Sequence, residues 1–156
     1  MACDEPQSSC EEEVDISPLS SIESVKVDVL DEEHEQCAAA LNVLAHTLEP
    51  AALDAVLRVF IRHFAHEESL LEEHLYAVEE ERVKQDGGTS LLLDSRRSHF
   101  RDHERMIQEV KVEHTRAIKN DSLVSSAFVN RLFRDFEHHA NMFDGHYAEG
   151  MAAALA

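Results

Sequence analysis

Seven residues of this 156-residue chain combine imidazole or carboxylate side chains with helical spacing: His34, His63 and Glu67, His99 and His103, His139 and Asp144. Side chains four residues apart project from one face of a helix. His63 with Glu67, and His99 with His103, can therefore each aim at a single point. His139 and Asp144 are five residues apart. Five residues of regular α-helix turn about 500°, which leaves the two side chains about 140° apart. Both can face one centre only if the helix widens locally, as a π-type turn does, and such a turn is predicted between them. Five imidazoles and two carboxylates, with no thiolate among them, argue against Cys-rich zinc or iron–sulfur sites. The mixture suits iron. Seven donors exceed what one ion needs, and two carboxylates can bridge a pair of ions.

These donors need elements to hold them, and the hydrophobic periodicity supplies four amphipathic helices. The first carries the stripe His34, Cys37, Leu41, Leu44 and Leu48. Pro50 ends it and opens the second, since a missing N–H is harmless in a first turn. The second stripe runs Leu53, Val56, Leu57, Phe60, His63, Phe64, Glu67, Leu70, Leu71, His74 and Val78, until Gly87–Gly88 break it. The third helix starts near Thr89 or Ser90 with the stripe His99, His103, Met106, Ile107, Val110 and Ile118. Asn120-Asp121-Ser122 supplies its stop and the next cap. Phe128, Leu132, Phe136, His139, Phe143 and Tyr147 mark the fourth. Four such helices joined by short turns predict an all-α, up-down-up-down antiparallel bundle over residues 21–156. Imidazoles and carboxylates lie on the apolar faces of all four, and burying them costs a few kcal/mol each, roughly, unless something satisfies them. A bound metal pair would satisfy many at once.

The composition sets the boundaries of function. A hydrophobic fraction of 44% predicts a folded core. Only four glycines and three prolines interrupt the chain, which favours long helices. The net charge is −18, and residues 1–35 hold twelve acids against the single base Lys26. Neither nucleic acid nor an anionic membrane is an expected partner. Residues 1–20 read as a flexible acidic tail. Cys3, Cys10 and Cys37 make no disulfide framework. No signal peptide or membrane span is visible, so a cytoplasmic location is expected.

The order His34, then His63-Phe64-x-x-Glu67-Glu68, then His99-x-x-x-His103, then His139-x-x-x-x-Asp144 resembles the hemerythrin family over roughly residues 27–148. The resemblance implies a non-haem di-iron protein that binds dioxygen reversibly for storage, transport or buffering. In that family pattern His99, His103 and His139 would hold one iron, and His34 and His63 the other. Glu67 and Asp144 would bridge the two ions beside a solvent-derived oxo or hydroxo group. Tyr147 falls where hemerythrins carry a tyrosine that orients the bridging carboxylate. Helix geometry adds Cys37, Phe64, Ile107, Phe136 and Ala140 as walls of a dry pocket around the ions. The stretch from Glu67 to His99 is longer than in short hemerythrins, which predicts an extended second helix and turn. His74 and His146, each seven residues beyond a candidate ligand, are expected back on the inner face.

Two other functions share this ligand set. One is a sensor of dioxygen, nitric oxide or iron status. The other is an enzyme that consumes peroxide or detoxifies iron. Ferritin-like di-iron enzymes use Glu-x-x-His pairs, and none occurs here. The expected reading is therefore a binding protein rather than an enzyme, monomeric or homo-oligomeric.

Overall fold

The computed structural model describes Leu19 and residues 22–156, with residues 143–145 described by their backbone alone. The expected tail, residues 1–20, lies outside these residues except for Leu19. That residue packs against the core and donates its N–H to Asn42 Oδ1 at 2.8 Å. All described elements are helical: α1 (Asp28–Thr47), α2 (Pro50–Leu71), a π segment (Glu72–Tyr76), α3 (Ala77–Asp86), α4 (Leu91–Lys119), α5 (Ser126–His139), a second π segment (Ala140–Asp144) and α6 (Gly145–Leu155). Among the described residues no helix is long and apolar enough to cross a membrane.

The helix boundaries follow local chemistry. Leu48 adopts the left-handed conformation (φ 54°) and returns its N–H to Leu44, which frees Pro50 to start α2. Gly87 (φ 71°) and Gly88 (φ 110°) stop α3 in backbone space that other residues avoid. Ser90 Oγ then accepts the Leu93 N–H and caps α4, which selects Ser90 from the two candidates Thr89 and Ser90. The cap of α5 is Ser125, whose Oγ accepts the Phe128 N–H. It is not Ser122, because the turn after α4 continues three residues further before the chain re-enters a helix.

Contacts run from α1 to α2, α2 to α4, α4 to α5, and α5 back to α1. Two apolar clusters fill the interior. The larger includes Leu41, Leu53, Phe60, Phe64, Met106, Leu132 and Phe136. The smaller joins Val25, Leu30, Leu71, Tyr76, Tyr147 and Met151.

The second helix does extend, through the first π segment to Asp86. The extra residue of that π turn rotates everything after it by about one residue's worth, ~100°. The predicted stripe therefore fails beyond Leu71. Tyr76 enters the core at 0% exposure, and Val78 is left 64% exposed. On α4 the inner face ends with Glu113 and Ala117, while Ile118 faces solvent.

Glu113 is buried for a reason. Its carboxylate accepts from Arg116 Nε and Nη2 (2.8 and 2.7 Å) and from the Ser125 N–H (2.9 Å), which ties the end of α4 to the cap of α5. Arg116 foremost, then the Ser125 N–H, hold its pKa below the ordinary 4.5 against the opposing effect of burial. A carboxylate whose folded pKa is depressed stabilises the fold above its unfolded value, and that contribution is lost as pH falls through the folded one. Glu113→Gln is expected to cost about 1.5–3 kcal/mol at neutral pH. It should also flatten the loss of stability below about pH 4.5, as urea unfolding across the acid range would show.

Candidate metal centre

Between the two apolar clusters lies a polar layer. His34, His63, Glu67, His99, His103 and His139 are each 2% exposed or less. Glu67, His99, His103 and His139 come together so closely that one ligand atom from each lies within 4.8 Å of the others. His103 Nε2 is 2.9 Å from His139 Nε2 and 3.1 Å from Glu67 Oε2. His99 Nε2 is 3.3 Å from His139 Nε2 and 3.7 Å from Glu67 Oε2. His34 and His63 form a second buried pair, edge to face with ring centroids 4.7 Å apart. The π-type turn predicted after His139 is present at Ala140–Asp144. The Asp144 side chain lies outside the described residues.

The opposite ring nitrogens show how the rings are held. His63 Nδ1 meets Glu33 Oε2 at 3.1 Å, His103 Nδ1 meets Glu68 Oε1 at 2.7 Å, and His139 Nδ1 meets Asp102 Oδ2 at 2.9 Å. An ionised carboxylate can only accept, so each of these Nδ1 atoms donates and Nε2 is turned away from its acid. The acids step around the fold: α1 orients a histidine of α2, α2 one of α4, and α4 one of α5. Asp102 stays ionised. Burial would raise its pKa, but His139 and the Arg105 guanidinium hold it at about 2. Arg105 grips Asp102 Oδ1 through both Nε and Nη2, at 2.9 and 2.7 Å.

The inward face is then an electrostatic problem. His103 and His139 point Nε2 lone pairs at each other across 2.9 Å, with a buried carboxylate beside them. Without a cation between them two neutral rings repel. In the metal-free chain a proton can take that place. Burial disfavours it, but the hydrogen bonds of Glu67 and Glu68 outweigh burial and raise the proton affinity of His103. The grouping of Glu67, His99, His103 and His139 could equally hold a metal ion at that position. Nitrogen and oxygen donors without sulfur, backed by outer carboxylates, are what a borderline divalent or trivalent ion requires.

Aromatic rings close the centre. Phe64 stacks on His103 with centroids 4.1 Å apart and planes 7° apart, and also touches His63 and His139. Phe136 meets His34 edge-on, and Tyr147 stacks on His99 at 5.1 Å. Cys37 and Ala140 are fully buried, and Ile107 is partly buried against the same core. Tyr147 thus touches a candidate ligand ring.

His74 and His146 do not return to the interior. The side chain of His74 is 29% exposed and His146 faces solvent. His74 lies within the first π segment and His146 just after the second, so a seven-residue interval no longer closes two turns.

Glu33, Glu68 and Asp102 have no role in the sequence reading. A signal was present, because each directly adjoins a candidate ligand: Glu33-His34, Glu67-Glu68 and Asp102-His103. A neighbour about 100° around the helix points at the next helix rather than at the centre. Glu68→Ala should weaken metal binding roughly 10- to 100-fold while the helical signal is retained. A cobalt titration giving wild-type affinity would remove Glu68 from this role.

Comparison of the chain with protein-family models, with curated proteins and with solved structures finds no match.

Proposed function

We propose that the chain is an up-down-up-down four-helix bundle of the hemerythrin type, whose centre holds two iron ions and binds dioxygen reversibly. The observation that carries this reading is the convergence of His99, His103 and His139 Nε2 with Glu67, two of the three rings being fixed by an outer carboxylate on Nδ1. On this reading His99, His103 and His139 hold one ion, and His34 and His63 the other. Glu67 would supply a carboxylate to the ions, and the family pattern would assign the same part to Asp144. A pair of ferrous ions supplies the two electrons that reversible dioxygen binding requires.

The protein's part is positioning and exclusion. Glu33, Glu68 and Asp102 fix ring orientation, so three of the five imidazoles need little reorganisation to accept an ion. Phe64, Phe136 and Tyr147 keep water and reductants from the centre, which favours release of the bound gas over irreversible oxidation.

Anaerobic loading with Fe(II) and a count of iron per chain test the first half of the proposal. Exposure to air, then removal of oxygen, tests the second. A visible absorption band that appears and then disappears supports a carrier. Irreversible oxidation points to a sensor, and turnover of added peroxide points to an enzyme.

A further inference from the structure

The segment from Ile22 to Val27 crosses the structure as a strap ahead of α1. It is pinned at both sides. Asp31 of α1 accepts the Val25 N–H at 2.8 Å and the Ser24 hydroxyl at 2.6 Å. On the other side the Glu23 N–H donates to Asn141 Oδ1 of the second π segment at 2.9 Å. Its own Val25 and Val27 side chains are buried.

Between strap and α1 lies a cavity of about 360 Å³. Its walls include Ile22 and Ala38, its rim the exposed carboxylates Glu23 and Glu35, and its floor His34, which is only 2% exposed. Asp31 adds a third carboxylate, and no lysine or arginine is among the described lining residues. A second cavity, beside Glu67, measures about 10 Å³. That is room for about one water, far too little to pass a hydrated ion.

We propose that the cavity under the strap is the port through which a divalent metal cation reaches His34, with Glu23 and Glu35 drawing the cation in. The proposal rests on the reading of the polar layer as a metal centre. A cleft lined by one sign of charge concentrates the opposite ion and speeds its capture, and salt screens the effect. The same lining repels anions. The port therefore admits metal cations and neutral small molecules while excluding anionic chelators and reductants.

Uptake of Co(II) by the full chain, followed anaerobically by absorbance in a stopped-flow instrument, separates the rate of loading from the final amount. Glu23→Gln/Glu35→Gln should load about tenfold more slowly at low ionic strength and lose most of its salt dependence, with an unchanged end-point. Ala38→Phe, which fills the cavity, should slow loading at least as much. The pair Glu81→Gln/Asp86→Asn removes the same charge from exposed positions on α3 and should load at the wild-type rate. Equal rates in all variants, or equal slowing in the α3 pair, would overturn the port and leave the metal centre standing. A wild-type chain that binds no cobalt at all would overturn the centre and the port together.

Discussion

Metal loading is expected to raise the thermal midpoint of this protein by roughly 8–16 °C, and Glu67→Gln should remove most of that rise. A ligand that binds only the folded state stabilises it by about 4 kcal/mol when present at a thousandfold over its dissociation constant. For a chain of this length each kcal/mol moves the midpoint by about 2–4 °C. Glu67 is 1% exposed and lies 3.1 Å from His103 Nε2 and 3.7 Å from His99 Nε2. Glutamine keeps its volume and removes its charge. A loss of about a hundredfold in affinity, the upper end of what even outer partners contribute, takes away about 2.7 kcal/mol at fixed metal concentration. The metal-free variant should melt close to the metal-free wild type, because the deletion removes a buried charge as well as a donor. Calorimetric scans with and without Co(II) check both statements. A wild-type rise in the variant would show that Glu67 is not a ligand.

Phe64→Ala should cost about 3–5 kcal/mol of stability, among the largest effects of any single truncation in the chain. The ring is 1% exposed and touches Phe60, His63, His103 and His139. Its loss leaves a cavity at the junction of the polar layer and the larger apolar cluster, where stacked imidazoles cannot relax to fill it. Urea unfolding should show a lower midpoint at unchanged slope. Phe64→Leu retains apolar volume and should recover much of the loss. An alanine variant that unfolds at the wild-type midpoint would mean that the interior collapses around this position more easily than its ring contacts allow.

The all-helical character, the start of α2 at Pro50, the cap at Ser90 and the π turn after His139 were legible because each follows from short-range chemistry. The last is the most instructive, since it was read from the mismatch between a five-residue interval and a 3.6-residue period. The first π segment, at Glu72–Tyr76, gave no such clue. No pair of chemically meaningful residues spans it, so Tyr76 was missed and Val78 and His74 were placed on the wrong face. The buried donors His34, His63, Glu67, His99, His103 and His139 were visible as polar interruptions of apolar stripes. Glu33, Glu68 and Asp102 adjoin candidate ligands in sequence, but adjacency alone does not tell an acid that meets the next helix from a solvated one until that helix is in place.

That placement of acids has a consequence for assembly. Glu33 serves His63, Glu68 serves His103 and Asp102 serves His139, and in every case donor and acceptor stand on different helices. A slide of α2 or α4 by a single residue, about 1.5 Å with a 100° swing, would dislodge the histidine it presents and also the carboxylate it lends onward, while a slide of α1 or α5 would break one such pairing. Misaligned intermediates would thus lose one or two anchoring points per slip. The chain of acids acts as a vernier that favours one axial alignment of the helices, and on the proposed reading a metal would be captured only once that alignment is reached.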